Sequence, residues 1–305
     1  MITIFGSGFG LYGYLPALIE GLNEPVCLPK KYLNTVRSRP DLSSLEEKIF
    51  WVDAEDDAIQ CSSKVVVSVN PIRQFGIVRK CVSLGFKGHF FLEKPLAESP
   101  EEAKNLLDFI DDAGVGYSIG YSFLYIEALK EYLSNHRDTT QLLLNWEFMA
   151  HHFARNLINW KRVEIEGGGV LRFYGIHIIA LLTEFGYSGV VSSELMGEKE
   201  EEPSRWEAVF SHSTAVNCRV IVDSRSENSF FSLSGKEDSE PLIVTDPFEL
   251  NHCRAEMLDR RFTSLVSFIS DLDKSVARKG LYREINCMWS LVEKRTVWTC
   301  PTIGG

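Results

Sequence analysis

The 305-residue chain lacks most of the features that place a protein in a special class. It has no C-x-x-C pair and no zinc-type spacing. Its seven cysteines, at 27, 61, 81, 218, 253, 287 and 300, are scattered and odd in number, which predicts reduced thiols rather than a disulfide framework. It has no basic excess: 32 Lys and Arg against 42 Asp and Glu give a net charge of −10, which excludes a general basic face for nucleic acid or an anionic membrane. Backbone N–H groups can still bind the phosphate of a small ligand on an acidic protein. By inspection no apolar run approaches the ~18 residues of a membrane span. The opening MITIFGSGFG enters a strand directly, with no leader-like segment. Internal repeats and low-complexity tracts are missing too. The expectation is a soluble cytoplasmic protein of ordinary globular composition, 45% hydrophobic and 24% charged.

What is present is an alternation. The length exceeds a typical single domain. Over residues 1–120, short apolar segments (ITIF, PVCL, KIFWVD, KVVVSV, HFFLE, VGYSIGY) alternate with helical patterns, one of them over 72–84. The stretch SPEEAKNLLDFIDDAG predicts a helix capped by Ser99, with Pro100 at its first position and Gly114 at its end. Strand–helix alternation of this kind predicts an α/β, doubly wound parallel sheet. Over 121–305 the rhythm changes. A helix near 125–135, the strand QLLLNWEFMA and the glycine-opened helix EGGGVLRFYGIHIIALLTEFG precede a strand-rich stretch from 190 to 245. There GEKEEEPS reads as a hairpin loop, and helices at 254–275 and 282–296 close the chain. Clustered strands after a βαβ region predict a second, α+β domain.

Two features suggest a dinucleotide. FGSGFG follows a strand and precedes a helix, so Gly6 would permit the tight turn and Gly8 a close approach of backbone to pyrophosphate, with Ser7, Phe9 and Gly10 completing the loop. The third glycine of the pattern falls at Leu11, and Gly10 sits one place early. The second strand then ends Leu28-Pro29-Lys30-Lys31, with no acid to hold a ribose 2′-hydroxyl. Lys30 or Lys31 would attract a 2′-phosphate, so NADP(H) is the preferred cofactor, with NAD(H) possible; a solvated lysine pair is the plainer alternative.

The stretch HFFLEKPLAESPEEA ends a buried strand in Glu93-Lys94-Pro95 and resembles the signature of the glucose–fructose oxidoreductase, inositol dehydrogenase and related family (Gfo/Idh/MocA). GSGFGLYGYLPAL is similar to that family's glycine loop and first helix, and NWKRVEIEGGGVLRFYGIHII to its Trp–basic–Gly-Gly-Gly–helix–His segment. The resemblance implies a Rossmann domain followed by an α+β domain with a large open, mostly antiparallel sheet, through which members often form homo-oligomers. It implies oxidation or reduction of a sugar, cyclitol or nucleotide-sugar with a nicotinamide cofactor. It also implies a typically cis Lys94–Pro95 bond, with Lys94 and His177 handling the proton. A partly buried ammonium suits that role, because burial disfavours its charge and it can stabilise a developing alkoxide.

Asn70, Pro71 and Gln74 match the loop where relatives contact the nicotinamide ribose, and Glu93 and Lys94 border it. Tyr121, Trp160, Lys161, Arg172 and Tyr174 are candidates for the substrate side. One departure stands out: Phe173 occupies the place of the family's usual Asp, four residues before His177. His177 is then left to act alone with Lys94, or Tyr174 or Tyr121 supplies the missing donor, or the chain binds a nucleotide or sugar, or scaffolds a partner, without catalysis. A redox-neutral epimerase or lyase using bound cofactor is a further alternative. His151-His152 has no third ligand, so no metal site is expected.

Overall fold

The computed structural model describes residues 1–136, 139, 141–235, 240–251 and 259–299, with the backbone alone at 273–276. Cys253 and Cys300 lie outside the described residues; Cys27, Cys61, Cys81, Cys218 and Cys287 are free thiols. Two compact units emerge. The first is Met1–Ala97 with Ala103–Tyr125 and Asn251–Gly280; the second is Glu98–Glu102 with Ile126–Leu250 and Leu281–Gly305. Asn251 and residues 259–280, read from sequence as part of 121–305, group with the first unit.

The first unit is built on a six-stranded parallel sheet. Its strands are β1 (Ile2–Phe5), β2 (Val26–Pro29), β3 (Ile49–Val52), β4 (Lys64–Val67), β5 (His89–Leu92) and β6 (Gly116–Ile119), in the order β3-β2-β1-β4-β5-β6. β1, β2 and the apolar runs of β4 and β5 are buried, as befits strands covered on both faces. The order reverses between β1 and β4, which creates the crevice at the carboxyl ends where such sheets bind ligands. Local chemistry sets the helices. Asn70 Oδ1 accepts the Ile72 N–H at 3.0 Å and starts Pro71–Ser83; Ser99 Oγ accepts the Glu102 N–H at 3.2 Å at the start of Pro100–Asp112. After the glycine loop the chain winds through wide π-turns at Gly10–Tyr14 and Ala17–Gly21.

The second unit carries a seven-stranded sheet of β7 (Leu142–Met149), β8 (Tyr187–Met196), β9 (Arg205–His212), β10 (Cys218–Asp223), β11 (Arg225–Ser234), β12 (Leu242–Val244) and β13 (Thr296–Thr299), in the order β12-β11-β7-β10-β9-β8-β13. It is antiparallel except where β10 meets β7 and β13 meets β8. Alternation gives it two unlike faces. Leu144, Trp146, Trp206, Ala208, Val220 and Val222 are buried on the inner face. The outer face carries rows such as Leu143–Arg219–Val209 and Glu147–Asp223–Arg205. Against the inner face lies the helical stretch Val170–Gly175 and Ile176–Glu184.

That stretch corrects one expectation. Glu164–Glu184, with mean hydropathy 1.3, is long and apolar enough to cross a membrane, but 72% of its apolar window is buried inside the protein. Apolar character all round is what a core helix requires. The hairpin read in GEKEEEPS joins β8 to β9. The closing helices are Phe262–Ser270 and Ser275–Arg295; the start predicted at 254 lies outside the described residues.

Candidate functional site

Gly6 leaves β1 at φ +129°, and a Cβ there would stand 1.9 Å from the Ser68 carbonyl oxygen. Only glycine lets the loop cross so close to the end of β4. The N–H groups of Ser7, Gly8, Phe9 and Gly10 find no acceptor among the described residues, and Ser7 and Gly8 are exposed. Successive undirected N–H groups of this kind form an anion cradle. The loop therefore fits the pyrophosphate of a dinucleotide. Leu11 does not belong to the cradle: its side chain is fully buried and its N–H binds Gly8 O at 2.9 Å. The close helix–strand contact expected of the third glycine is made by Gly10, where a Cβ would meet Ile4 Cγ2 at 2.8 Å. The Gly6 N–H donates to the hydroxyl of buried Tyr32 at 3.1 Å, a contact sequence reading did not anticipate.

The two lysines after β2 are engaged. Lys30 Nζ pairs with Asp53 at 2.6 Å, and Lys31 pairs with Glu55, which also accepts from Lys80 at 3.0 Å. Glu55 is held below the ordinary carboxylate range by these partners, although burial opposes the shift. A 2′-phosphate would have to compete with Asp53 for Lys30.

At the end of β5 the Lys94–Pro95 peptide is cis and Lys94 is 8% exposed. Gln74, expected at the cofactor ribose, is instead fully buried beneath this turn. Its Nε2 donates toward the carbonyls of Glu93, Pro95 and Leu96 at 2.8, 3.0 and 3.2 Å, and its Oε1 accepts the Glu93 N–H at 3.1 Å. It shapes the backbone that presents Lys94. Asn70 keeps its Nδ2 donors without an acceptor among the described residues. The Glu93 carboxylate accepts the Tyr14 hydroxyl at 2.6 Å, and Gly120 sits against both. Burial raises the Glu93 carboxyl, opposed by Lys94, Tyr14 and Arg261. Burial likewise raises Tyr14, with Glu93 adding to the effect. Tyr121 is buried beyond β6.

In the second unit His177 is 4% exposed on Ile176–Glu184. The Gly-Gly-Gly run explains the position of Trp160 and Lys161: a Cβ on Gly168 would lie 2.0 Å from Trp160 O. Phe173 takes part in an aromatic cluster. Its ring meets Trp160 at 5.3 Å and Tyr174 at 4.8 Å between centroids, and Lys161 Nζ stands 5.3 Å from its centre. Tyr174 further packs on Phe148 at 4.7 Å and Trp146 at 5.7 Å. Arg172, a candidate for the substrate side, is engaged within the protein. It grips Glu293 through Nε (2.7 Å) and Nη2 (3.1 Å), and its Nη1 donates to the carbonyls of Glu98 and Glu164, both at 2.8 Å.

No group of three or more metal-ligating side chains occurs among the described residues. His152 is 3% exposed and held down to about 4, by burial first and by Lys161 and Arg162 second. It is therefore neutral in the fold, whereas the unfolded chain takes up a proton near 6.5. Stability complete above that value is lost as pH falls toward 4, at about 3 kcal/mol for this one residue. Urea unfolding at pH 7 and pH 4 is expected to show this loss, and His152→Gln to reduce it. An unchanged pH slope in the variant contradicts the assignment.

No family model matches the sequence, and no curated protein does. Solved structures do resemble it over nearly the whole chain. One is KijD10, a 3-ketoreductase from Actinomadura kijaniata in complex with NADP and TDP-benzene, with TM-score 0.69, 11% identity and 98% of each chain covered. Another is an oxidoreductase from Agrobacterium radiobacter in complex with NAD+, L-tartaric acid and magnesium, with TM-score 0.71, 11% identity, and 96% of this chain and 94% of that one covered. A third is GenD2 from gentamicin A biosynthesis in complex with NAD, with TM-score 0.70, 14% identity, and 96% and 93% covered. At such identity these likenesses establish a shared two-domain fold, a parallel sheet with helices beside a second, mixed sheet.

Proposed function

We propose that the chain is a divergent Gfo/Idh/MocA-type oxidoreductase, using NADP(H) ahead of NAD(H) to interconvert a hydroxyl and a carbonyl on a sugar or nucleotide-sugar. The observation that carries this reading is the pairing, in one unit, of the Ser7–Gly10 cradle with the braced Lys94 turn, on the carboxyl edge of one parallel sheet. The fold is shared with structures crystallised with NADP or NAD. When bound, nicotinamide supplies the two-electron chemistry. The chain's own residues bind it, exclude water and manage one proton at the substrate oxygen. Lys94 in the first unit and His177 in the second are the proton-handling groups of this reading. The aromatic cluster of Trp160, Phe173 and Tyr174, with Lys161, suits the substrate side, since rings accept the C–H faces of a sugar or the plane of a base. The outer face of the seven-stranded sheet is the surface for self-association.

Titration of the protein with NADPH and NADH, followed by fluorescence transfer from tryptophan, tests the reading; no saturable signal from either at millimolar concentration removes it. The same titration bears on specificity. Asp53→Asn frees Lys30 from an exposed ion pair, and the NADPH-to-NADH affinity ratio is expected to rise about 2- to 5-fold. An unchanged ratio takes Lys30 out of the cofactor site.

Phe173 favours a second reading, a binding protein without turnover, because a phenyl ring neither relays a proton nor orients an imidazole. Saturable cofactor binding with no reduction of any keto-sugar supports it.

A further inference from the structure

The segment that sequence reading placed elsewhere supplies the first unit with a cation beside the glycine loop. The helix Phe262–Ser270 packs on Ala17–Gly21, and just before it Arg261 sets its guanidinium carbon 3.7 Å from the centre of the Phe9 ring. Phe9 lies between Gly8 and Gly10, in the middle of the N–H cradle. Asp259 holds the guanidinium in place: it accepts from Nε at 2.8 Å, from Nη2 at 2.9 Å and from the Arg261 backbone N–H at 2.9 Å. The Nη1 donors have no acceptor among the described residues. Burial works against the charge, yet Asp259 outweighs it and keeps the guanidinium above its ordinary range. With its Nε–Nη2 edge taken by Asp259, the guanidinium is held rigidly and offers its Nη1 donors, a charge-assisted form in which arginine binds phosphate.

We propose that Arg261 is a phosphate-binding residue of the dinucleotide site, adding a charge-assisted donor to the backbone N–H groups of the glycine loop. The ligand class is a nucleoside diphosphate, and the inference rests on the cofactor reading above. The loop alone offers only neutral donors, and the chain as a whole is strongly acidic. A pyrophosphate approaching Phe9 would meet charge-assisted Nη1 donors on a side chain that lies 252 positions further along the sequence (9 to 261). The bland alternative is a cation–π staple that merely stiffens the loop, and the two differ in what they do to ligands with and without phosphate.

Calorimetric titration of wild type and Arg261→Ala with ADP, NADPH and adenosine separates them. Loss of a charged contact is expected to weaken ADP and NADPH on the order of 10- to 100-fold and to leave adenosine unchanged. The ADP affinity should also depend less steeply on salt. Equal weakening of all three ligands, or of none, overturns the proposal. Should Arg261→Ala fail to fold, phenylglyoxal labelling of the wild-type protein decides: saturating ADP is expected to protect Arg261, read by peptide mass spectrometry, while adenosine is not. Labelling indifferent to ADP sinks the assignment. Wild type that binds ADP and NADPH while the Arg261 tests fail leaves the cofactor reading intact. Wild type that binds none of them removes both.

Discussion

Lys94→Ala is expected to lower turnover by roughly 10²- to 10⁴-fold, the range of a lost general acid or base, while leaving NADPH affinity within about twofold. The expectation comes from how the residue is mounted. Its backbone sits at the tip of β5, in a turn whose carbonyls at 93, 95 and 96 converge on one amide, that of Gln74. The neighbouring Glu93 carboxylate is taken by Tyr14. Lys94 as a residue is only 8% exposed, and a charge in such surroundings is less screened than one in bulk water. Lys94→Arg separates the two services such a group can render. Guanidinium keeps the charge that stabilises a developing alkoxide but does not release its proton. If proton relay dominates, the arginine variant resembles alanine; if charge dominates, it recovers much of the rate. Steady-state rates with NADPH and a panel of nucleotide-linked keto-sugars, read as nicotinamide absorbance, give the answer. An alanine variant retaining more than a tenth of the wild-type rate ends the role assigned to Lys94.

What could be read in the sequence was local. KVVVSV and HFFLE announce buried parallel strands by composition. Ser99-Pro100 and Asn70-Pro71 announce helix starts through capping chemistry confined to a few residues, and the structure holds both caps. QLLLNWEFMA and the strand-rich stretch from 190 to 245 match β7 and most of the second sheet, whereas β13 (Thr296–Thr299), which pairs with β8 a hundred residues away, was not anticipated. What escaped depends on distant partners. Gln74 reads as a ribose contact until the carbonyls it braces, 19 to 22 positions away, are placed beside it. Tyr32 on Gly6, 26 positions apart, has no local signature. Arg172 looks like a surface base near a glycine run, yet two of its partners lie 74 and 121 residues away. The third-glycine rule misled because the chain enters a π-wound turn after Gly8, so that position 10 rather than 11 touches β1. The helix Phe262–Ser270 joins the first unit through its packing on Ala17–Gly21 and Ser122–Tyr125, partners far from it in sequence.

Arg172→Met is expected to destabilise the second unit by about 3–5 kcal/mol, the cost of removing one partner from a buried ion pair. Arg172 and its partner Glu293 are 15% and 20% exposed at the side chain, with Glu164 at 26% beside them. Removal strands more than one group. Among the described residues Glu293 keeps only the Trp289 indole N–H at 2.7 Å; the Glu98 carbonyl loses the Arg172 donor, and the Glu164 carbonyl is left with the Gly167 N–H at 2.9 Å. Burial already raises the Glu164 carboxyl, Arg172 opposes that, and Glu293 adds to it. Without the cation, two half-buried carboxylates face each other and their protonation becomes favourable. The sign follows. The folded variant binds protons more readily than its unfolded chain, so its stability falls as pH rises above the ordinary carboxylate range. The defect should therefore be smaller at pH 5 than at pH 7.5, and Arg172→Met combined with Glu293→Leu should recover part of it by removing the stranded charge. Tryptophan emission during urea unfolding reports the right unit, because Trp146, Trp160, Trp206, Trp289 and Trp298 all belong to it. A loss under about 1 kcal/mol, the scale of an exposed pair, or a defect indifferent to pH, means that Arg172 is not the staple its contacts describe and returns it to the candidates for substrate binding.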